Sequence, residues 1–221
     1  EQFEHLGTLL PNLKIGWCPE GPFAPVSTEV QQTVAAAAET FRDLGCSVQQ
    51  VELPSWEELQ PENISLVIVA VEGTPYLAPI ISGREQLLAP YMQRRLKLAA
   101  PTLNEYLEAT TNCEILRQDM MRYFSEYDLL LCPTGPIPAH PHNSIELDVD
   151  GKKVSGRNAL GITIPFDLTG SPAISVPFGV SSDGLPIGIQ LVARHFDERT
   201  LLHAASALET LNEQNGRHPP I

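Results

Sequence analysis

The sequence is poor in positive charge. Its 221 residues carry 14 Lys and Arg against 27 Asp and Glu, a formal net charge of −13. Nucleic-acid phosphates are bound by clustered basic side chains, so the composition argues against nonspecific nucleic-acid binding and no nucleic-acid partner is expected. Cysteine is sparse too: Cys18, Cys46, Cys113 and Cys132 are widely spaced and form no CxxC pair. In a chain this long they read as buried thiols, not as a disulfide framework. No run approaches the roughly 18–20 apolar residues that span a bilayer, and the opening residues show no signal-peptide pattern. The cytoplasm is the expected compartment, with no membrane partner.

Several site motifs are missing as well. The loop after the first predicted strand, Pro19-Glu-Gly-Pro-Phe23, contains neither GxGxxG nor GxxxxGK[ST]. Its prolines supply no N–H and Glu20 repels phosphate, so it makes a poor phosphate cradle. No GxSxG elbow supports a Ser-His-Asp triad built on His195 or His203. His140-x-His142 offers two ligands where zinc takes three or four from the protein, and no second His, Cys or Asp pair stands nearby. Neither a metal nor another cofactor is expected.

What is present is globular: 43% apolar and 19% charged residues, enough for one sizeable core. The whole chain, 1–221, reads as a single domain with a tail over 1–12. The densest pattern lies between Asn158 and Glu198. Ala173–Phe178 and Leu185–Val192 are Ile- and Val-rich runs around a turn of Gly, Ser and Asp, which predicts two strands. The second is apolar at nearly every position except Gln190, as in a strand covered on both faces. Gly188 inside it marks close approach by another backbone. A helix follows over Arg199–Glu209.

Upstream, Leu13–Cys18 predicts a strand, Glu29–Leu44 a helix with Val30, Val34, Ala37, Phe41 and Leu44 on one face, and Ser47–Leu53 a second strand, a βαβ-like unit. Gly45 is placed to end the helix. Pro54 opens a short helix interrupted at Pro61. Residues 63–72 fit helix or strand by propensity. Helices are expected over 85–99 and 102–124, with Tyr106, Leu107, Cys113, Leu116, Met120 and Met121 on a core face. Tyr127–Thr134 reads as a buried strand stopped by proline, and 145–154 as a hairpin turning at Asp150-Gly151.

These motifs resemble the C-terminal signature of the amidase signature family, enzymes that hydrolyse carboxylic amides or transfer their nitrogen. The matching residues are Tyr127-Asp-Leu-Leu-Leu-Cys-Pro-Thr134, Pro165-Phe-Asp-Leu-Thr-Gly170, Pro172-Ala-Ile-Ser-Val-Pro177, Gly184-Leu-Pro-Ile-Gly-Ile-Gln190 and Asp197-Glu198. The family has Asn where this chain has Asp167. The resemblance implies a three-layer α/β fold, a mixed sheet with helices on both faces. It also favours a helix over 63–72. The family's nucleophile is a Ser in a GGSSGG-like loop, backed by a bridging Ser and a Lys. Here Ser181-Ser182 is the sole Ser-Ser pair, and it lies in the predicted turn between two strands with no matching Lys before it. A serine needs an adjacent base to attack an amide, so no catalytic residue is assigned.

The resemblance implies that this chain is the C-terminal part of an amidase, inactive alone and completed by an N-terminal catalytic half, with a small-molecule amide as substrate. The loop 158–167 would wall the substrate pocket, naming Asn158, Thr163, Phe166 and Asp167; Arg94, in Gln93-Arg-Arg-Leu96, is a further candidate beside Arg95. Two other readings stand. One is the corresponding part of a tRNA-dependent amidotransferase A subunit, a branch that has Asp where this chain has Leu160. The other is a non-catalytic α/β ligand-binding or scaffold module. An apolar surface near 158–167 would favour a homo-oligomer.

Overall fold

A computed structural model of the protein describes residues 12–20, 25–53, 55–142 and 144–211. The expected tail over 1–12 lies almost wholly outside them, as do Pro54 and part of the loop 19–25. Strand β1 (Lys14–Trp17) leads into helix α1 (Thr28–Asp43), and β2 (Ser47–Gln50) returns beside β1. The pairing is parallel, as a crossover helix requires. Gly45, at φ +88°, ends α1 in the left-handed region. Helix α1 buries Val30, Val34, Ala37 and Phe41 on one face, the stripe legible in the sequence.

Strand β3 (Leu129–Pro133) pairs parallel with β1 on one side and antiparallel with β7 (Pro186–Ala193) on the other. β6 (Ala173–Val180) pairs antiparallel with β7 and closes the order β2-β1-β3-β7-β6. The sheet is therefore mixed, as expected. Its faces are covered separately. Leu129, Leu131, Ile189 and Leu191 pack under α1 and α9 (Glu198–Leu211). Leu130, Cys132 and Val192 face Leu116, Met120 and Phe124 of α6 (Leu103–Glu126). A hairpin of β4 (Glu146–Val149) and β5 (Lys152–Ser155) stands apart, turning at Asp150-Gly151. All four cysteines are buried free thiols.

Helix α6 starts with a full capping box: Thr102 accepts from the Glu105 N–H, and Glu105 accepts from the Thr102 N–H at 2.7 Å. Its core face differs in part from the expected one. Ala109, Cys113, Leu116, Met120 and Phe124 are buried, while Leu107 and Met121 are exposed. The observed set keeps steps of three and four residues; Leu107 and Met121 fall off that stripe.

Three further expectations are corrected. The predicted helix 85–99 is a 3₁₀ turn, Glu85–Leu87, followed by α5 (Pro90–Arg95). Pro90 can start a helix but forces the residue before it out of helical geometry. The segment 158–167 is no open loop: α7 (Asn158–Gly161) and α8 (Ile164–Thr169) occupy it, with Pro165 in the first turn of α8, where a missing N–H costs nothing. Residues 63–72 are helical, as the resemblance favoured. Following α2 (Ser55–Leu59), helix α3 (Pro61–Ile68) runs through a π turn at Val69–Gly73 into α4 (Thr74–Ile81).

Together Pro61–Ile81 forms 21 helical residues, long and apolar enough by length and composition to cross a membrane. Glu62, Glu72, Pro75 and Pro79 punctuate the sequence here and hide that length.

Two stability predictions follow from these contacts. A Cβ on Gly188 would lie 2.9 Å from Ser175 Oγ and 3.3 Å from Thr134 Oγ1. Gly188→Val is therefore expected to lower unfolding free energy by about 1–3 kcal/mol through overpacking; an unchanged denaturation midpoint would contradict the close packing of β7. At the start of α9, burial works to raise the Asp197 carboxyl. The hydroxyl and N–H of Thr200 and the Arg194 guanidinium outweigh it and hold the group below its usual range. Asp197→Ala should cost about 0.5–2 kcal/mol near neutral pH, as loss of a helix cap does. A depressed folded value makes this contribution fully present above the unfolded pKa of about 3.9 and lost as pH falls through the folded one. Wild-type and variant urea curves should therefore converge below about pH 4.

Candidate functional site

The chemistry-bearing region is built at the end of β3. Pro133 ends the strand, and the chain continues as a proline-rich loop through His140. Ser27 N–H donates to Pro136 O at 2.8 Å and ties this loop to the start of α1. From the other side Gln190, 4% exposed, extends its amide toward Cys132 Sγ and Pro133 O, both at 3.5 Å. The one polar residue of the apolar strand β7 thus faces the exit of β3, which fixes where the loop departs.

Between this loop and strands β6 and β7 lies a cleft of about 310 Å³. Thr134 and Ser175 share a hydrogen bond of 2.9 Å between their hydroxyls. Gly188 lies directly beside them. Pro136, Ile137, Ile187 and Ala159 of α7 complete the wall. Among the described lining residues His140 is the one ionisable side chain; it is exposed and bonds through Nδ1 to Pro141 O at 3.1 Å. The cleft can hold an uncharged group and offers it two hydroxyls.

None of the expected pocket residues is among the described residues lining this cleft. Thr163 is half-buried and its hydroxyl donates to Leu160 O at 3.1 Å. Phe166 is 2% exposed and packs edge to face on Trp56, ring centroids 5.4 Å apart. Asp167 is exposed. The side chains of Asn158 and Arg94 lie outside the described residues. Leu160, one residue after the cleft-lining Ala159, is 63% exposed. Sequence reading missed Thr134, Ser175 and Ala159. The available signal was positional: Thr134-Gly-Pro directly follows a buried strand, and loops at strand ends carry sites.

No nucleophile is assembled among the described residues around Ser181-Ser182. Ser181 is 6% exposed and its hydroxyl accepts from Leu185 N–H at 3.1 Å, inside the β6–β7 turn. The hydroxyl and N–H of Ser182 both donate to Glu29, which holds that carboxyl below its usual range. Lys153 bonds Asp148 at 2.8 Å. Burial pushes the Cys18 and Cys46 thiols up to about 11, and Cys132 further still, so they stay protonated and unreactive at neutral pH. His195 Nε2 bonds Thr169 O at 2.9 Å, pinning the end of α8. Among the described residues no group of three or more His, Cys, Asp or Glu is placed to hold a metal ion.

Comparison with known proteins agrees with this architecture. The glutamyl-tRNA(Gln) amidotransferase A subunits of Moorella thermoacetica and Pediococcus pentosaceus are 31% and 28% identical to the chain. The alignments cover 95% and 98% of this chain but 46% and 48% of those proteins. Among solved structures, an inhibitor-bound complex described as a vestigial protein complex that reveals the origins of an s-triazine catabolic enzyme superposes with TM-score 0.81 at 27% identity. It covers 93% of this chain and 44% of that one. A bacterial aryl acylamidase of the amidase signature enzymes matches with TM-score 0.79 at 20% identity, over 97% and 48% of the two chains. The chain thus spans about half the length of the relatives it matches. Residues 2–202 match the Amidase family, and the chain belongs to it.

Proposed function

We propose that this chain is the C-terminal part of an amidase that hydrolyses a carboxylic amide, supplying the scaffold sheet and one wall of the substrate chamber. The observation that carries this reading is the hydroxyl-lined cleft at the exit of β3, in a chain spanning about half of its relatives. The nucleophilic Ser, bridging Ser and Lys of the family belong, in this reading, to the N-terminal half. Thr134 and Ser175 would orient the neutral amide beside Ala159 of α7, and Leu160 and Thr163, which are not among the cleft's described lining, are proposed to meet the part of the substrate that extends beyond it. Asn158, Asp167 and Arg94 stay candidates for contact at the rim, and Phe166 braces the wall from the core. The cytoplasm is the proposed location.

The corresponding part of a tRNA amidotransferase A subunit is the second reading, favoured by the names of the curated relatives. Against it stands Leu160. A glutamine side chain sits on a zwitterion, whose charged groups need partners when desolvated. An exposed leucine and a cleft whose described lining has no carboxylate, Lys or Arg offer none beyond His140.

Two outcomes are expected. Residues 1–221 alone should hydrolyse no aliphatic or aromatic amide, because removing at least about 8 kcal/mol of barrier requires an activated nucleophile and an oxyanion site. Turnover that vanishes in Ser181→Ala/Ser182→Ala would place the active site in the β6–β7 turn and defeat the half-enzyme reading. In the full-length protein, Leu160→Asp should cut kcat/KM for neutral aromatic amides by about tenfold or more, the effect of a polar group desolvated beside an apolar substrate. It should raise relative use of glutamine. Unchanged selectivity would remove Leu160 from the chamber.

A further inference from the structure

A larger cleft, with no part in the site above, opens at the other end of the sheet. It lies between the edge strand β2, with the residues that follow it, and the last turns of α6, and it holds about 650 Å³. That is the size of a small-molecule site. Val51, Leu53, Trp56 and Met120 give it an apolar lining. Tyr123 and Tyr127 add two stacked rings, centroids 4.9 Å apart. Their hydroxyls are engaged, donating to Leu129 O at 3.0 Å and to Gln49 Oε1 at 3.2 Å.

The charge in this cleft is unbalanced. Glu52, Asp119 and Glu126 stand against Arg122 alone. Arg122, 76% exposed, pairs with Oδ1 of Asp119, whose side chain is 11% exposed. Oδ2 of the same carboxylate is buried and has no hydrogen-bond donor, and a buried charged oxygen without a donor is costly. Glu52 and Glu126 are exposed and join no ion pair among the described residues.

Carboxylates beside apolar and aromatic surface select an amphipathic cation, because ring faces and carboxylates both attract an ammonium group. A metal ion does not fit: no three His, Cys, Asp or Glu among the described residues are placed to hold one. An anion is repelled, and an uncharged apolar body leaves Asp119 Oδ2 without its donor. Nor is the rest of a longer protein the natural cover. In the proposed function the catalytic half closes the chamber over β6 and β7, whereas this cleft lies at the opposite edge of the sheet, beside β2.

We propose that this cleft binds a small organic ammonium ion with an aromatic or alkyl body. The ammonium donates to Asp119 between Glu52 and Glu126, and the body lies on Tyr127 and Val51. Arg122 competes with the ligand for Asp119. The ligand chemistry stands apart from the amidase reading, on which only the location of the catalytic half depends.

The test is calorimetric titration of the full-length protein with 2-phenylethylamine and with its uncharged analogue 2-phenylethanol. The amine should bind at one site, and the alcohol about tenfold or more weakly, the effect of losing a charged hydrogen bond. Added salt should weaken the amine and leave the alcohol unchanged. Asp119→Asn should weaken the amine about tenfold, and Arg122→Ala should strengthen it. Glu52→Gln/Glu126→Gln alters two exposed side chains, so it should keep the wild-type circular dichroism spectrum while weakening the amine about threefold or more. Absence of amine binding, equal binding of the alcohol, or an affinity indifferent to both Asp119→Asn and Glu52→Gln/Glu126→Gln would overturn the proposal. Amine binding lost in Ser175→Val but kept in those variants would place the amine in the substrate chamber and overturn it too. Amide turnover is read separately, so failure of the half-enzyme reading is told apart from failure of this site.

Discussion

The structure depends on one strand being closed off from water on every side. β3 has five residues, all buried, with Leu129, Leu130, Leu131 and Cys132 at 0% exposure. Its neighbours run in opposite senses: β1 parallel, β7 antiparallel. Such a strand must present apolar side chains to both helical layers at once, and its backbone must be fully paired, because an unpaired buried amide costs about 1–3 kcal/mol. The run Leu-Leu-Leu-Cys meets the first demand and the two different neighbours meet the second. The helices α1 and α9 on one face and α6 on the other are placed by what β3 offers each of them.

The cleft inherits its position from this strand. Where β3 ends at Pro133, the ladder to β7 ends too, and the chain leaves as a loop held by Ser27 on one side and Gln190 on the other. Gln190 is paired across the ladder with Cys132, so its amide reaches the last residues of β3 and no others. The same register puts Ser175 of β6 opposite Gln190 and Pro177 opposite Gly188. Small side chains at 175 and 188 open the space that Thr134 enters. A site at strand ends, lined by backbone turns and small residues, is the usual way an α/β sheet presents a ligand surface.

Legibility in the sequence followed how local each signal was. The five strands of the sheet, the α1 stripe, its Gly45 stop and the hairpin at Asp150-Gly151 rest on contacts within a few residues, and they lie where expected. The failures involve distance. Leu107 and Met121 look like core residues until the rotation of α6 against the sheet is fixed by Leu116 and Met120, and no local pattern specifies that rotation. The helical turns at 158–169 were hidden by Gly161 and Pro165, which read as loop residues but serve here as a stop and a first-turn residue. The Thr134–Ser175 pair joins residues 41 apart; nothing near either residue announces the other.

Composition carries a further consequence when it is divided along the chain. A uniform net charge of −13 would keep copies of the protein apart. The acidity is not uniform, however: residues 65–108, none of whose described members is buried, carry four basic and four acidic residues, so the whole net charge of −13 lies on the rest of the chain. A solvated surface helix would show a polar outer face, and a core helix would be buried; Thr74–Ile81 is apolar yet exposed. Such a helix draws its support from the run it continues, where Glu72 accepts a hydrogen bond from Tyr106 of α6 at 2.7 Å.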